Sequence, residues 1–214
     1  LVKEIARLDE KFNLKLDEIN IGGGLGVKYT DSDCPPSTFT IAEIVIKRLY
    51  ECIEKYKIDA PALFIEPGRS IISTAGVTLY TLGSSKQVPK GKKYVAVDGG
   101  MADNARPSMY QAEYFAQIAN KPDYELANTV TIAGRFCESG DILIKGIKLP
   151  KIEEGDILCV YNTGAYNYSM SSNYNRVQKP AMVILNEGHA DVIIKRESLK
   201  DLIEHDVIPD RLKK

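Results

Sequence analysis

Leu16-Asp17-Glu18-Ile19-Asn20-Ile21-Gly22-Gly23-Gly24-Leu25-Gly26 is the stretch on which the reading of the fold turns. Leu16, Ile19 and Ile21 lead as a short strand into a glycine turn. Helical patterns lie on either side of it. Upstream, Leu1, Ile5, Leu8 and Phe12 recur at helical spacing and make one apolar stripe. Downstream, a polar loop passes through Cys34-Pro35-Pro36. Thr40 and Glu43 then form a capping box that opens a helix to about Tyr56, with Ile41, Ile44, Val45, Leu49 and Ile53 inward. Ala62 to Ile65 read as a second buried strand, stopping at Glu66-Pro67-Gly68-Arg69-Ser70. Strands alternating with helices imply βα units and a parallel sheet or barrel. Two units cannot close a barrel, and a parallel sheet needs both faces covered. Residues 1–74 are therefore expected to be a remnant of a larger parallel βα sheet or barrel. Because the chain opens inside a helix, it reads as a fragment.

After about Thr74 the pattern changes. Val77–Leu82, Tyr94–Val97, Thr129–Ala133, Ile142–Ile147, Ile157–Tyr161 and Ala181–Leu185 are short, β-branched and bounded by turns. Val183–Leu185 and Val192–Ile194 flank Asn186-Glu187-Gly188-His189, a hairpin signal. Ser198–His205 reads as one closing helix. The expected fold class is thus α/β plus all-β. Barrel units over 1–74 are followed over 75–214 by a C-terminal β-barrel or sandwich domain with a short closing helix.

Composition narrows the function classes. The 214 residues carry a net charge of −1, which argues against a nucleic-acid footprint, since that normally shows as a basic excess. No stretch approaches the roughly 20 apolar residues of a membrane span, and Leu1–Lys11 is a charged amphipathic run without the marks of a leader peptide. Cys34, Cys52, Cys137 and Cys159 are widely spaced and form no C-x-x-C pair, so reduced thiols in a cytoplasmic protein are expected. His189 and His205 have no partner at metal-ligand spacing, and no metal site is expected.

Five motifs could carry chemistry, and each has a plain structural reading beside it. Gly22–Gly26 fits neither the dinucleotide fingerprint nor the P-loop. It remains a glycine turn whose backbone N–H groups can approach an anion, or a tight βα turn with no ligand. Glu66-Pro67-Gly68-Arg69-Ser70 ends a strand, where barrel enzymes build their sites. Its carboxylate, bare backbone and guanidinium can serve a ring nitrogen, a phosphate and a carboxylate, or form a surface ion pair on a proline turn. Asn104-Ala105-Arg106-Pro107-Ser108-Met109-Tyr110 is a long polar loop carrying one Arg and one Tyr, functional or simply solvated. In Phe136-Cys137-Glu138-Ser139-Gly140-Asp141 a thiol beside a carboxylate can donate a proton next to a cation-binding group, or be a structural cysteine in a turn. Tyr166, in Gly164-Ala165-Tyr166, can donate to a phosphate, stack on a ring, or pack in the core.

In this order and at these separations, Gly-Gly-Gly-Leu-Gly, Glu-Pro-Gly-Arg-Ser, Asn-Ala-Arg-Pro-Ser-Met-Tyr, Cys-Glu-Ser-Gly-Asp and Gly-Ala-Tyr resemble the diaminopimelate decarboxylase family. That family belongs to the alanine-racemase-like (fold type III) pyridoxal-phosphate enzymes, with a (β/α)8 barrel and a C-terminal β domain. The resemblance runs essentially the whole length of the chain and covers the second half of a family member. It implies that Gly22, Gly23 and Gly24 bind the cofactor phosphate, joined by Pro67, Gly68, Arg69 and the Tyr166 hydroxyl. It implies that Glu66 pairs with the protonated pyridine nitrogen. Arg69, Arg106, Tyr110, Glu138 and Tyr166 would bind the substrate, meso-diaminopimelate, and Cys137 would be the catalytic proton donor. In this family Cys137 and Glu138 come from the partner subunit, so a homodimer is implied. The Schiff-base lysine lies in the family's other half and no lysine here matches it, so the 214 residues alone are expected to be inactive. Two rival readings stand beside this one. The first is a decarboxylase of another diamino acid, such as carboxynorspermidine. The second is a non-catalytic half-protein that docks to an intact subunit.

Overall fold

The computed structural model describes residues 1–213, which divide into two compact units, Leu1–Ala75 and the chain from Gly76 onward. The first unit runs α1 (Val2–Phe12), β1 (Glu18–Asn20), α2 (Thr38–Tyr56), β2 (Ala62–Phe64) and α3 (Arg69–Ile72), then a 3-10 turn, Ser73–Ala75. α1 stops at Asn13, which takes the left-handed conformation (φ 50°) that asparagine tolerates better than most residues. Of the α1 stripe, Ile5 is buried while Phe12 is exposed. α2 begins earlier than the expected capping box. Its N-cap is Ser37, whose hydroxyl accepts from the Thr40 N–H at 3.0 Å, so Thr40 already lies inside the helix. Ser37 is extended (φ −64°, ψ 153°) after Pro35-Pro36, the backbone state an N-cap requires. Ile41, Val45, Leu49 and Ile53 are half-buried; Ile44, expected inward, is 61% exposed because it flanks that stripe.

β1 and β2 pair in parallel, with Glu18 opposite Ala62, Ile19 opposite Leu63 and Asn20 opposite Phe64. Parallel pairing requires a crossover, which α2 supplies. The ladder continues past both strands: Ile21 N donates to Phe64 O at 3.1 Å and Glu66 N to Gly22 O at 2.8 Å. The described residues make a two-stranded sheet here rather than a closed barrel.

The second unit contains β3 (Thr78–Gln87), β4 (Lys93–Val97), α4 (Arg106–Tyr110), β5 (Ala116–Ile118), β6 (Asn128–Ala133), β7 (Ile142–Leu149), β8 (Ile157–Val160), β9 (Met182–Asn186) and β10 (His189–Ile194). Six strands form one sheet in the order β5-β8-β3-β4-β6-β7. Only β4 and β6 pair in parallel within it; the other neighbours are antiparallel. Its edge strands β5 and β7 approach each other, so the sheet curls into a nearly closed barrel. Tyr80, Leu82, Val95, Val97, Ile118, Val130, Ile132, Leu149, Leu158 and Val160 fill its core. Apolar burial of this kind contributes roughly 1.5–3 kcal/mol per large side chain.

Two features of this unit differ from the sequence reading. β5 was not expected, because three residues are too few for a clear strand signal, although Tyr114, Ala116 and Ile118 alternate and are all buried. Residues 199–205 form successive turns instead of the closing helix. Ser198 and Asp201 bond each other's backbone N–H through their side chains, at 3.4 and 2.6 Å, as in a capping box, but the turns that follow do not extend into a helix. Leu199 and Ile203 stay exposed, so no buried stripe stabilises a helix. The β9–β10 hairpin forms at Glu187-Gly188, both with positive φ (48° and 81°), the geometry a two-residue turn demands.

Candidate functional site

In the first unit the glycine turn and the Glu66 segment are brought together by the β1–β2 ladder. Gly23 lies against the Glu66 main chain: a Cβ there would collide with the Glu66 carbonyl oxygen. Gly22 and Gly24 are glycines for another reason, since both have left-handed φ (72° and 86°) and open space where a Cβ would point. Asn20, at the end of β1, ties the two segments. Its Oδ1 accepts from Gly22 N and its Nδ2 donates to Glu66 Oε1, both at 2.7 Å. One Glu66 carboxylate oxygen is thereby oriented. Arg69 opens α3, with its guanidinium carbon 5.7 Å from the Tyr29 ring centroid. The Tyr29 hydroxyl in turn accepts from Ser73 Oγ at 3.1 Å. Bare backbone on one side and an oriented carboxylate on the other fit a group with an anionic end and a cationic ring nitrogen.

The second unit gathers Arg106, Tyr110 and Tyr166. Arg106 begins α4 and is buried; its guanidinium carbon lies 6.0 Å from the Tyr110 ring centroid and 5.8 Å from that of Tyr166. Aromatic faces at that range hold a guanidinium by cation–π attraction. Tyr166 has φ 62°, uncommon for a bulky residue, and the surrounding loop is pinned to maintain it. Thr163 N donates to Gly76 O at 3.0 Å, Thr78 Oγ1 donates to Thr163 Oγ1 at 2.8 Å, and Gly76 packs against the Gly164 backbone. Buried Asn104 and Asn167 join the Arg106 loop to the Tyr166 loop. With the Asn167 amide oriented to donate to the Ala165 and Thr163 carbonyls, its oxygen accepts from Asn104 Nδ2 at 3.2 Å.

Cys137 and Glu138 stand exposed on a separate turn. Asp141, 3% exposed, fastens that turn: its carboxylate accepts from Phe136 N at 2.9 Å and from Met101 N at 2.7 Å. Ser108 Oγ adds a link to Gly140 O at 2.7 Å. A second carboxylate, Asp103, accepts from Gly100 N at 2.9 Å and from the Tyr80 hydroxyl at 2.5 Å. Burial pushes both carboxyls above the ordinary aspartate range, and for Asp103 the hydrogen bonds from Tyr80 and Gly100 oppose that push.

The sequence reading placed the Gly22–Gly24 turn, Glu66, Pro67, Gly68, Arg69, Arg106, Tyr110, Cys137, Glu138 and Tyr166 as candidates. It assigned no role to Asn20, Tyr29, Asn104, Asn167 or Asp141, which orient them. The bonds joining Asn20 to Glu66, Tyr29 to Ser73, Asn104 to Asn167 and Asp141 to Met101 cross between segments far apart in the chain, so spacing carries no sign of them. Among the described residues there is no group of three or more His, Cys, Asp or Glu that could hold a metal ion, and no helix long and apolar enough to cross a membrane.

Residues 37–164 match the family described as pyridoxal-dependent decarboxylase, C-terminal sheet domain. The chain is 48% identical over 201 residues to the diaminopimelate decarboxylase of Synechocystis sp., covering 94% of this chain and 43% of that protein. It is 47% identical over 209 residues to the Bacillus subtilis enzyme of the same name, covering 92% and 48%. Among solved structures, diaminopimelate decarboxylase from M. jannaschii in co-complex with L-lysine superposes with a TM-score of 0.88 at 34% identity, covering 99% of this chain and 47% of that one. The chain spans about half the length of the curated relatives it matches. Matched by the family over residues 37–164, and by named decarboxylases over nearly all its length, the chain belongs to the pyridoxal-dependent decarboxylases.

Proposed function

We propose that the full-length protein is a pyridoxal-phosphate-dependent diaminopimelate decarboxylase, converting meso-2,6-diaminopimelate to L-lysine and carbon dioxide as a cytoplasmic homodimer. The observation that carries this reading is the Cys137-Glu138 turn, fastened by Asp141 to the loop that bears the buried Arg106. A substrate with an amino and a carboxyl group at its far end calls for both an anion and cations; Glu138 would offer the anion and Arg106 a cation, each from a different protomer of the dimer. The named relatives, at 47–48% identity, support the same substrate.

Gly22, Gly23, Gly24, Gly68 and Arg69 would hold the cofactor phosphate, joined by the Tyr166 hydroxyl, with Pro67 shaping the turn. Glu66, oriented by Asn20, would face the pyridine nitrogen and keep it protonated. Pyridoxal phosphate, when bound, supplies the sink that accepts the electron pair left as carbon dioxide departs. Arg69, Arg106 and Tyr110 would grip substrate carboxylate and Glu138 the distal ammonium. The exposed Cys137 thiol would return a proton to the α carbon. We assign Cys137 and Glu138 to the site of the partner subunit, which makes the dimer the active unit. Cofactor attachment is assigned to no lysine of this chain, and the 214 residues alone are expected not to decarboxylate.

The test is lysine release by the purified full-length protein loaded with pyridoxal phosphate. Turnover of meso-diaminopimelate well above that of carboxynorspermidine and ornithine is expected. Faster turnover of carboxynorspermidine would replace the substrate assignment. No decarboxylation of any diamino acid would remove the reading altogether.

A further inference from the structure

We infer that Asp141 is a positioning residue, whose carboxylate sets the placement of the Cys137-Glu138 turn against the Arg106 loop. Its kinetic consequence rests on the decarboxylase reading above. Asp141 touches neither end of the substrate in that reading; it acts through two backbone amides. One of them, Phe136 N, immediately precedes Cys137, and the other, Met101 N, begins the loop that leads to Arg106. Each carboxylate oxygen accepts one of these bonds, so both are used and their directions are set.

The seat is cut to this side chain. Gly134 and Gly100 flank the carboxylate so closely that a Cβ on either would overlap its oxygens. Gly134 N also donates to Asp141 O at 2.9 Å, Arg135 N to Gly99 O at 3.0 Å, and Asp141 N to Glu138 O at 3.1 Å, which close the turn on itself and on the neighbouring loop. Neither asparagine nor glutamate reproduces this. Asparagine offers one acceptor to two donors, and glutamate is one methylene too long for a seat walled by two glycines. An exposed thiol and carboxylate on a five-residue turn would otherwise sample many placements, and misplacement by about 1 Å can lower turnover by about a hundredfold.

The experiment uses the full-length holoenzyme with Asp141→Asn, Asp141→Ala and Gly134→Ala, and Asp156→Asn as control. Asp156 is also a buried, hydrogen-bonded aspartate, paired with Lys121 at 2.8 Å, and it serves none of the proposed site loops. Two readouts are taken: kcat and KM, and hydrogen exchange at the Met101 and Phe136 amides. Asp141→Asn is expected to lower kcat about tenfold and Asp141→Ala about a hundredfold, with smaller changes in KM. Exchange at the two amides should rise in both, and in Gly134→Ala, while Asp156→Asn leaves kcat and both amides unchanged. A kcat for the Asp141 variants within twofold of the control overturns the inference, as does unaltered exchange. If the wild-type holoenzyme shows no decarboxylation, the decarboxylase reading fails. Amide exchange then still decides whether Asp141 clamps the turn.

Discussion

Gly23→Ala should damage the glycine turn far more than Gly22→Ala, although the two residues are adjacent. The added methyl at position 23 meets the Glu66 carbonyl oxygen, a main-chain atom that no rotamer change can move. Relief requires the ends of β1 and β2 to part, which breaks the 2.8 Å bond from Glu66 N to Gly22 O and carries Glu66 away from Asn20. Overpacking costs about 1–3 kcal/mol and the lost hydrogen bond about 1 kcal/mol, together about 2–4 kcal/mol. At about 1.4 kcal/mol per decade, that is a loss of roughly 30- to 1000-fold in affinity for pyridoxal phosphate if the whole cost falls on binding. At Gly22 the new methyl meets nothing within 4 Å, and the penalty is the left-handed φ of 72°, about 1 kcal/mol. The assay is cofactor titration of the full-length protein, followed by absorbance, with thermal unfolding measured in parallel. Equal losses for the two variants, or a Gly23→Ala protein that binds like wild type, would refute the steric argument.

Two further outcomes are expected. Tyr80→Phe removes the hydroxyl that donates to Asp103 within the sheet domain, and should destabilise the protein by about 1–3 kcal/mol at neutral pH. Burial raises the folded Asp103 value above its unfolded one, so this carboxyl contributes stability below its ordinary range and loses it as pH rises through the folded value. The Tyr80→Phe deficit should accordingly shrink as pH is lowered toward that range, and urea unfolding showing the deficit growing in acid would count against it. Arg106→Lys keeps the charge but loses the planar guanidinium between Tyr110 and Tyr166, and should raise KM for diaminopimelate about tenfold. A KM within twofold of wild type in steady-state kinetics would remove Arg106 from the substrate site.

The candidate site residues stood out in the sequence because their chemistry depends on residue type. A run of glycines, an Arg beside a Pro, and a thiol beside a carboxylate leave marks in a single sequence. β4, β6, β7 and β8 were legible for a related reason: β-branched runs bounded by turns form strands across a wide range of contexts. Ser198–His205 misled because Leu199 and Ile203 have helical spacing, and spacing alone does not show whether a face will be buried. The α2 start was displaced by three residues because Ser37 and Thr40 can both cap, and the extended backbone after Pro35-Pro36 selects Ser37.

By itself the sequence determined the helix–strand alternation of the first unit and most strands of the second, though neither β5 nor the turns at 199–205, and it offered the chemistry-bearing side chains as candidates. Only the tertiary structure decided how those side chains are supported. Asn20 bonding Glu66 across 46 positions and Asp141 bonding Met101 across 40 are pairings between segments that meet only after the sheets form. The physical reason is one of range. Propensity and periodicity act over a few neighbouring residues, whereas a hydrogen bond depends on where two distant backbones come to rest.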